Sequence, residues 1–254
     1  MPKSMQRVGD KNGTPFPVGK PEELAQEILC AGAFEIRDVD NGEKPFLYSS
    51  GNWGPGYVNI KGLIGNKSVI RHLGRNLAYA IANRVPYLRF IAGNATGGMI
   101  PAWIVSEKLE GMLMRSVPFV YVRGARKKGG HQETITGNRN NSAIRAGDVA
   151  IVIEELVNFA ETTCNSADAL RYAGYSVKYA ACILDYGNPI ARESLKAHRI
   201  QLISLLTLSD LLMAAERFGT HKPYLIRAYR VFLEDPRGWQ DARGLTPVEG
   251  GGTQ

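Results

Sequence analysis

Residues 87–219 alternate between apolar and amphipathic segments, and this alternation constrains the fold more than any other feature of the sequence. The apolar segments are typical of buried strands, and helical patterns follow them after short links. A chain with strands and helices in this order forms a mainly parallel sheet with helices on both faces. Ligands of such sheets bind outside the carboxyl ends of the strands. The predicted strands span residues 87–93, 117–124, 149–155, 177–187 and 200–208, and the predicted helices follow residue 98 and span residues 163–175, 189–198 and 209–219.

The length and composition are those of one α/β domain with additions. The chain has 254 residues, of which 44% are hydrophobic and 22% are charged, so it can bury a sizeable core. No segment approaches the roughly 18 apolar residues of a membrane-spanning helix, and residues 1–20 lack the apolar centre of a signal peptide. We therefore expect a cytoplasmic protein.

The net charge and the cysteines restrict the possible binding partners and metal sites only in part. A formal net charge of +7 favours anionic partners, which include phosphorylated substrates and nucleic acid. Cys30, Cys164 and Cys182 lie far apart and form no Cys-x-x-Cys pair. They predict neither a disulfide framework nor a zinc site.

Two of the loops that follow strands carry residues suited to a ligand. Residues 93–98 hold Thr96, Gly97 and Gly98 in a glycine-rich stretch. Glycines let backbone amides approach an anion closely, although the same stretch also suits a tight turn from strand to helix. After a later strand, the segment "DYGNP" places Tyr186 where it would border a bound base.

A long basic loop spans residues 123–137 and carries Arg123, Lys127 and His131 among glycines. A loop of this length in a compact domain is either simply solvated or mobile and functional. Mobile cations would suit closure over a leaving pyrophosphate, whose negative charge grows in the transition state.

The predicted strand at residues 149–155 ends on two acids, Glu154 and Glu155, before a loop and a helix. Carboxylates at this position can accept hydrogen bonds from a ribose diol or hold Mg²⁺ through water. The start of the following helix, with Asn158 and Thr162, offers backbone amides to a phosphate. The alternative is that the acids only favour the helix dipole.

Four motifs in the same order make the chain similar to the orotate phosphoribosyltransferase family over roughly residues 21–215. Members of that family carry an early "SG…SP-x-Y-x-(D/N)-L-R" segment, a "G-x-ATGG-IP-A" loop, and "YVR" followed by a basic loop that ends in "I-x-G". They also carry a strand with an acidic pair, a phosphate loop and a helix. The matching segments here are Ser50 and Gly51 with "GPGYVNIKGL", "GNATGGMIPA" with one additional residue, "YVRGARKKGGHQETITG", and residues 154–174 without a gap.

The resemblance implies a type I phosphoribosyltransferase fold, in which a central, mostly parallel sheet flanked by helices carries an N-terminal hood. It implies a homodimer that uses phosphoribosyl pyrophosphate with Mg²⁺ in pyrimidine nucleotide biosynthesis, with Lys127 stabilising the departing pyrophosphate. The implied organisation is an extension at residues 1–20, a helix and hood hairpin at 21–65, a core at 66–218 and a loose or docked extension at 219–254.

The loop after the acidic pair departs from the family pattern. Family loops place small and hydroxyl residues there, whereas this chain has Phe159, Ala160 and Glu161 before Thr162. A glutamate about 4 Å from a phosphate would weaken binding by roughly 4 kcal/mol per pair of charges unless its side chain points away. Further departures are Ser49 in place of a lysine, Tyr186 in place of an arginine beside the base, and Gly129 in place of a histidine that His131 follows two residues later.

These observations leave three hypotheses for the function. The first is an active phosphoribosyltransferase, a glycosyltransferase that uses Arg123, Lys127 and the acidic pair on a pyrimidine or related base. The second is an altered or inactive descendant that binds a nucleotide or nucleic acid as a regulator. The third is a structural protein that uses only the dimer.

Overall fold

A computed structural model describes residues 14–48, 50–123, 134–139 and 141–248, and its elements follow the alternation seen in the sequence. The helices are α1 Pro21–Cys30, α2 Lys67–Arg84, α3 Met99–Leu113, α4 Glu161–Tyr172, α5 Pro189–Ala197, α6 Leu208–Arg217, α7 Pro223–Glu234 and α8 Pro236–Asp241. The strands are β1 Phe34–Ile36, β2 Phe46–Leu47, β3 Trp53–Gly54, β4 Gly56–Val58, β5 Phe90–Asn94, β6 Phe119–Val122, β7 Ile135–Thr136, β8 Val149–Val157, β9 Ser176–Asp185 and β10 Gln201–Thr207.

Local sequence signals account for where several helices begin. Pro21 and Pro189 occupy the first turns of α1 and α5, where a missing backbone N–H removes no helical hydrogen bond. The helix α6 starts with a capping box in which Thr207 and Asp210 each bond to the other's backbone amide. These starts fall close to the predicted ones because the signals are local.

The central sheet has six strands in the order β10, β9, β8, β5, β6, β7. The neighbouring pairs are parallel except that β7 runs antiparallel to β6. This confirms the expected mostly parallel α/β sheet. The chain leaves β5 towards β6 on one side and returns as β8 on the other side of β5. A crevice therefore opens between the carboxyl ends of β5 and β8, which is the usual ligand position in such sheets.

Helices cover both faces of the sheet, and the strand residues alternate between the two cores. Ile151 and Ile153 pack in the core under α1, α2, α3 and α6, whereas Ala150 and Val152 pack in the core under α4 and α5. This alternation follows from the two-residue period of a strand. None of the helices among the described residues is long and apolar enough to cross a membrane.

The expected hood hairpin is divided between two small antiparallel sheets. Strands β2 and β3 form one pair, while β4 pairs with β1, in a register that sets Phe34 opposite Val58. The strand β1 was not predicted, because three residues are too few to show a periodic pattern. The division brings Tyr57 and the following turn, Lys61–Gly65, to the carboxyl edge of the central sheet.

The segment after α6 folds into α7 and α8, which pack against the N-terminal sheets. Tyr229, Phe232 and Trp239 are buried in the core beside Phe34. The backbone amide of Trp53 donates to Gln240 Oε1 at 2.9 Å, and the amide of Val248 donates to the carbonyl of Gly51 at 2.8 Å. The described part of the C-terminal segment is thus docked on the domain, with two helices that the sequence analysis did not predict.

Candidate functional site

The loops that follow β5, β6, β8 and β9 meet at the carboxyl edge of the sheet. The amide of Ala95 donates to the Val122 carbonyl at 2.8 Å, and the amide of Tyr186 donates to the Val157 carbonyl at 2.9 Å. These bonds tie the end of β5 to β6 and the end of β9 to β8. The described ends of the four loops that the sequence singled out therefore lie side by side.

The two acids of β8 point to opposite faces of the sheet. Glu154 continues the row of Ala150 and Val152 towards α4, whereas Glu155 continues the row of Ile151 and Ile153 towards the opposite face. Adjacent strand residues must diverge in this way. The pair that the sequence presents as a unit is therefore divided between two environments.

Glu154 is enclosed by hydrogen-bond donors. It is only 6% exposed, and its Oε1 accepts from Thr162 Oγ1 at 3.0 Å and from Thr163 Oγ1 at 3.2 Å. Asn94 Nδ2 also donates to this oxygen. Burial, followed by the nearby charge of Glu155, raises the pKa of Glu154 to about 7, and the three donors offset part of this shift.

Glu155 lies against the glycine-rich loop. A Cβ atom at Gly97 would lie 1.9 Å from the Glu155 carboxylate, so only a glycine leaves room for this side chain. Burial raises the pKa of Glu155, and the charge of Lys61 partly opposes this shift. The Glu155 carboxylate in turn raises the pKa of Tyr57, after the larger effect of that tyrosine's own burial. Glu155 thus lies between the glycine loop and the N-terminal sheets.

The glycine loop forms the turn from β5 into α3. The amide of Gly98 donates to the Asn94 carbonyl at 3.0 Å, and a Cβ at Gly98 would lie 2.1 Å from the Ile153 carbonyl. Thr96 is exposed at the tip of the loop. Gly98 is the N-cap of α3 and provides no side-chain hydrogen bond. In the first turn the amide of Met99 donates to the Thr96 carbonyl at 3.4 Å, and Pro101 has no N–H, so the helix contributes few amides beyond those of the glycine loop.

The loop after β8 ends in a backbone conformation that favours glycine. Ala160 has φ 61° and ψ 9°, precedes α4 directly and provides no side-chain cap. Glu161, the first residue of α4, is exposed, as is Phe159. Asn158 Oδ1 accepts from Asn188 Nδ2 at 3.2 Å, which joins this loop to the start of α5.

Arg123 and Tyr186 flank the crevice. Arg123 is half-buried at the end of β6, and its Nη2 donates to the hydroxyl of Tyr121 at 2.7 Å. Burial raises the pKa of Tyr186, and the side chain packs beside the backbone of Val58 in the N-terminal sheets. The predicted site residues Lys127 and His131 lie outside the described residues, as do the departures at Ser49 and Gly129.

The acids of the site suit a metal ion only if the substrate supplies ligands. The described residues contain no group of three or more His, Cys, Asp or Glu side chains that could hold a metal ion. Mg²⁺ is commonly bound through one or two carboxylates together with water and substrate phosphates. Of the two acids, Glu155 fits this role better, because the Oε1 of Glu154 is already occupied by three donors.

Three buried polar residues beside Glu154 were missed by the sequence analysis. Asn94, Thr163 and Ser166 are each no more than 2% exposed, and Ser166 Oγ donates to Asn94 Oδ1 at 2.8 Å. A polar side chain that ends a buried strand was a usable signal for Asn94. The helical spacing of Thr163 and Ser166, three residues apart, was a weaker one.

Comparisons with known proteins agree with this geometry. The orotate phosphoribosyltransferase of Bacillus caldolyticus is 30% identical over 217 residues, which cover 85% of this chain and 98% of that enzyme. The orotate phosphoribosyltransferase of Dinoroseobacter shibae is 29% identical over 232 residues, which cover 89% of this chain and 98% of that enzyme. No family model matches the chain.

Solved structures support the same fold. The UMP synthase of Leishmania donovani matches with a TM-score of 0.67 and 22% identity, over 85% of this chain and 42% of the other. An orotate phosphoribosyltransferase of Mycobacterium tuberculosis in complex with 5-phospho-alpha-D-ribosyl 1-diphosphate matches with a TM-score of 0.53 and 17% identity, over 75% of this chain and 90% of the other. The fold is that of the type I phosphoribosyltransferases, and the chain belongs to the orotate phosphoribosyltransferase family.

Proposed function

We propose that the protein transfers the phosphoribosyl group of phosphoribosyl pyrophosphate to a pyrimidine or related base and releases pyrophosphate. The observation that carries this proposal is the pair of helix starts, α3 and α4, that flank the crevice between β5 and β8 without side-chain caps. Each start offers backbone amides and a positive helix end to an anion. A donor with a phosphate at one end and a diphosphate at the other needs two such sites.

The donor would lie across the crevice with its ribose beside β8. In this orientation the start of α4 binds the 5′-phosphate, and Thr96, Gly97 and Gly98 at the start of α3 bind the diphosphate. Glu155 accepts hydrogen bonds from the ribose hydroxyls, because it is the acid that faces the glycine loop. The base would then lie between Tyr57 and the loop that carries Tyr186.

Cations at the end of β6 would stabilise the leaving group. Pyrophosphate gains negative charge as the bond between its oxygen and the ribose C1 breaks and the base forms its own bond to C1, so positive groups near the pyrophosphate lower the barrier. Arg123 already lies at this edge of the crevice. We propose that Lys127 and His131, which follow it in the sequence, act in the same step. Mg²⁺, which would neutralise diphosphate charge when bound, is expected to contact the protein through Glu155.

Two further properties belong to this proposal. We propose a homodimer, because Ile100 and Trp103 are exposed apolar residues on α3 next to the glycine loop. Sedimentation velocity would report a single species of twice the chain mass if this is correct. A cytoplasmic location remains a prediction.

The alternatives of a regulator and of a purely structural dimer are not favoured. The relatives named as orotate phosphoribosyltransferases match over nearly their whole length, and the crevice keeps both helix starts and Glu155. A structural protein has no physical need for these features together.

The proposal is tested by following pyrophosphate release with phosphoribosyl pyrophosphate, Mg²⁺ and a panel of bases that begins with orotate. We expect base-dependent release from the intact chain. Lys127→Ala should lower turnover by about 100-fold or more without changing the unfolding midpoint. Lys108→Ala, on the distal part of α3, is a control that should leave turnover unchanged. Release of pyrophosphate that is independent of every base, or no release at all, would refute the transferase activity.

A further inference from the structure

We propose that Glu154 and Asn94 are positioning residues that fasten the two phosphate-facing loops to each other, and that Glu155 is the acid of the pair that meets the substrate. The inference rests on the proposed function, and it assigns different roles to two residues that the sequence presents as one motif. Asn94, which no motif singled out, becomes part of the machinery for the proposed reaction.

The bridge crosses the crevice at its base. Asn94 is the last residue of β5 and Glu154 lies beside it on β8, since the preceding residues Gly93 and Ile153 are paired in the sheet. Asn94 Nδ2 donates to Glu154 Oε1, and Asn94 Oδ1 accepts from Ser166 Oγ of α4. The strand that leads into the glycine loop is thus bonded to the strand and the helix on both sides of the phosphate loop.

Glu154 is poorly placed to contact a substrate directly. It is paired with the fully buried Cys182 of β9 on one side and faces Asn94 on the other. The side chain points under α4, and Thr162 and Thr163 of that helix donate to it. A ribose or a hydrated cation would have to displace these donors to reach it, whereas Glu155 is partly exposed and faces the glycine loop.

Burial strengthens the hydrogen bonds of the bridge. Its buried members are each between 1% and 6% exposed, so their hydrogen bonds operate at a low local dielectric and fix one arrangement of side chains. Two hydrogen bonds fix the orientation of the Asn94 amide, because its Nδ2 donates to the Glu154 carboxylate and its Oδ1 accepts from the Ser166 hydroxyl. The distance between the helix starts α3 and α4, which sets the spacing of the two phosphate sites, is held by this arrangement.

Thr162 joins the bridge to the ligand. Thr162 is exposed in the first turn of α4, yet its hydroxyl donates inward to Glu154. A phosphate bound at the start of α4 offers this hydroxyl a second acceptor. When the hydroxyl turns outward, Asn94 and Thr163 still hold Glu154, so the phosphate gains a donor while the bridge stays closed.

The first test compares Glu154→Gln with Glu155→Gln in steady-state kinetics. Glutamine keeps an acceptor oxygen for Asn94, so we expect Glu154→Gln to keep kcat within about threefold of the unmodified chain. Glu155→Gln removes the charge that faces the substrate and should lower kcat/KM by about 100-fold. An equal loss in both variants would overturn the assignment.

The second test removes Asn94. Asn94→Ala should raise the KM for phosphoribosyl pyrophosphate by about tenfold or more, because the two phosphate sites lose their fixed spacing. Asn76→Ala is the matched control, since Asn76 is another buried asparagine that bonds backbone groups in α2 and at Gly19, away from the crevice. It should destabilise the fold without changing KM. An unchanged KM in Asn94→Ala would refute the positioning role.

A third measurement does not depend on activity and separates failure of the inference from failure of the proposed function. Urea unfolding of Asn94→Ala, Glu154→Ala and the double variant should give strongly non-additive shifts in midpoint, because the two residues share one bond. Additive shifts would overturn the bridge even if the enzyme is active. Non-additive shifts in a chain that makes no nucleotide would refute the proposed reaction and leave the bridge in place.

Discussion

At the scale of single residues, the divergence of Glu154 and Glu155 decides what the site can do. A sequence motif shows two acids, and only the pleat of the strand shows that they face different cores. Both acids, the glycines and the altered loop that contains Ala160 could be found from the sequence. The roles of Asn94 and Ser166 could not, because they come from pairing between distant segments.

The first residue-scale prediction concerns the pH dependence of folding. Burial raises the pKa of Glu154 from 4.5 to about 7, so the folded chain holds this proton more tightly than the unfolded chain. The contribution is complete below pH 4.5 and is lost as pH rises through the folded-state pKa. The free energy of unfolding should therefore fall by about 3 kcal/mol over this window through Glu154 alone.

Urea unfolding at about pH 5 and about pH 8 measures this contribution when the intact chain is compared with Glu154→Gln. The intact chain should lose roughly 2 kcal/mol more than the variant between the two conditions. The same pH dependence in both proteins would show that Glu154 keeps an ordinary pKa.

The second residue-scale prediction concerns Gly97. A methyl group at this position would collide only with the end of the Glu155 side chain among its nearest atoms, so Gly97→Ala should displace the carboxylate and leave the backbone intact. We expect kcat/KM to fall by about 100-fold, with little change in the unfolding midpoint.

Gly111→Ala provides the control for Gly97→Ala. Gly111 lies inside α3, and a Cβ there meets nothing within 4 Å. This variant should raise the free energy of unfolding by about 0.5–1 kcal/mol, because alanine favours the helix, and leave activity unchanged. Normal activity in Gly97→Ala would mean that Glu155 does not work from its position against the glycine loop.

At the scale of elements, the start of α4 answers why a glutamate can stand beside a phosphate site. Glu161 is exposed in the first turn, where an acid favours the helix dipole. An acidic side chain that lies in solvent can turn away from the ligand, so the repulsion is much smaller than that of a fixed pair of charges. The amides of the first turn and the Thr162 hydroxyl are what remain for the phosphate.

At the scale of elements, we predict that Glu161→Gln raises the affinity for the donor and lowers the free energy of unfolding. The variant should bind phosphoribosyl pyrophosphate several-fold more tightly, up to about tenfold, and lose about 0.3–1 kcal/mol of unfolding free energy. Glu107→Gln, an exposed glutamate in the middle of α3, removes the same charge away from both helix starts and should change neither quantity by much. Weaker binding in Glu161→Gln would show that the glutamate contacts the donor favourably.

Most elements could be predicted because their signals are local. Between residues 87 and 219 apolar strands alternate with helices, and the residues that indicate each element lie within a few positions of one another in the sequence. The strand β1 and the pairing of β4 could not be predicted, because partner choice among short strands depends on contacts that no window of sequence contains. The missed helix α7 had a signal in Pro223 and in the spacing of Ile226 and Tyr229.

At the scale of the whole molecule, the C-terminal helices are part of the core. Tyr229 lies so close to Gly56 that a Cβ there would meet its ring at 2.5 Å, and Phe232 stacks against Tyr229 and meets the edge of Trp239. The N-terminal sheets, which carry Tyr57 and Lys61 to the crevice, therefore rest on the last part of the described chain.

At the scale of the whole molecule, we predict that alanine substitutions at two neighbouring residues of α7 change the free energy of unfolding by very different amounts. Phe232 is 5% exposed and Val231 is 61% exposed. Phe232→Ala should lower the free energy of unfolding by about 3–5 kcal/mol through the cavity that it leaves, while Val231→Ala should change it by less than about 0.5 kcal/mol. Chemical denaturation of both variants checks this, and similar small effects would mean that α7 is not docked.

The proposed function requires the two helix starts at the crevice, which have no side-chain caps, to hold the two phosphate ends of one donor despite Glu161. The most direct measurement is a calorimetric titration of phosphoribosyl pyrophosphate with Mg²⁺ into the intact chain. We expect one site per chain with a dissociation constant in the micromolar range, which corresponds to a binding free energy on the order of −8 kcal/mol. The absence of binding by folded protein at millimolar donor would contradict it.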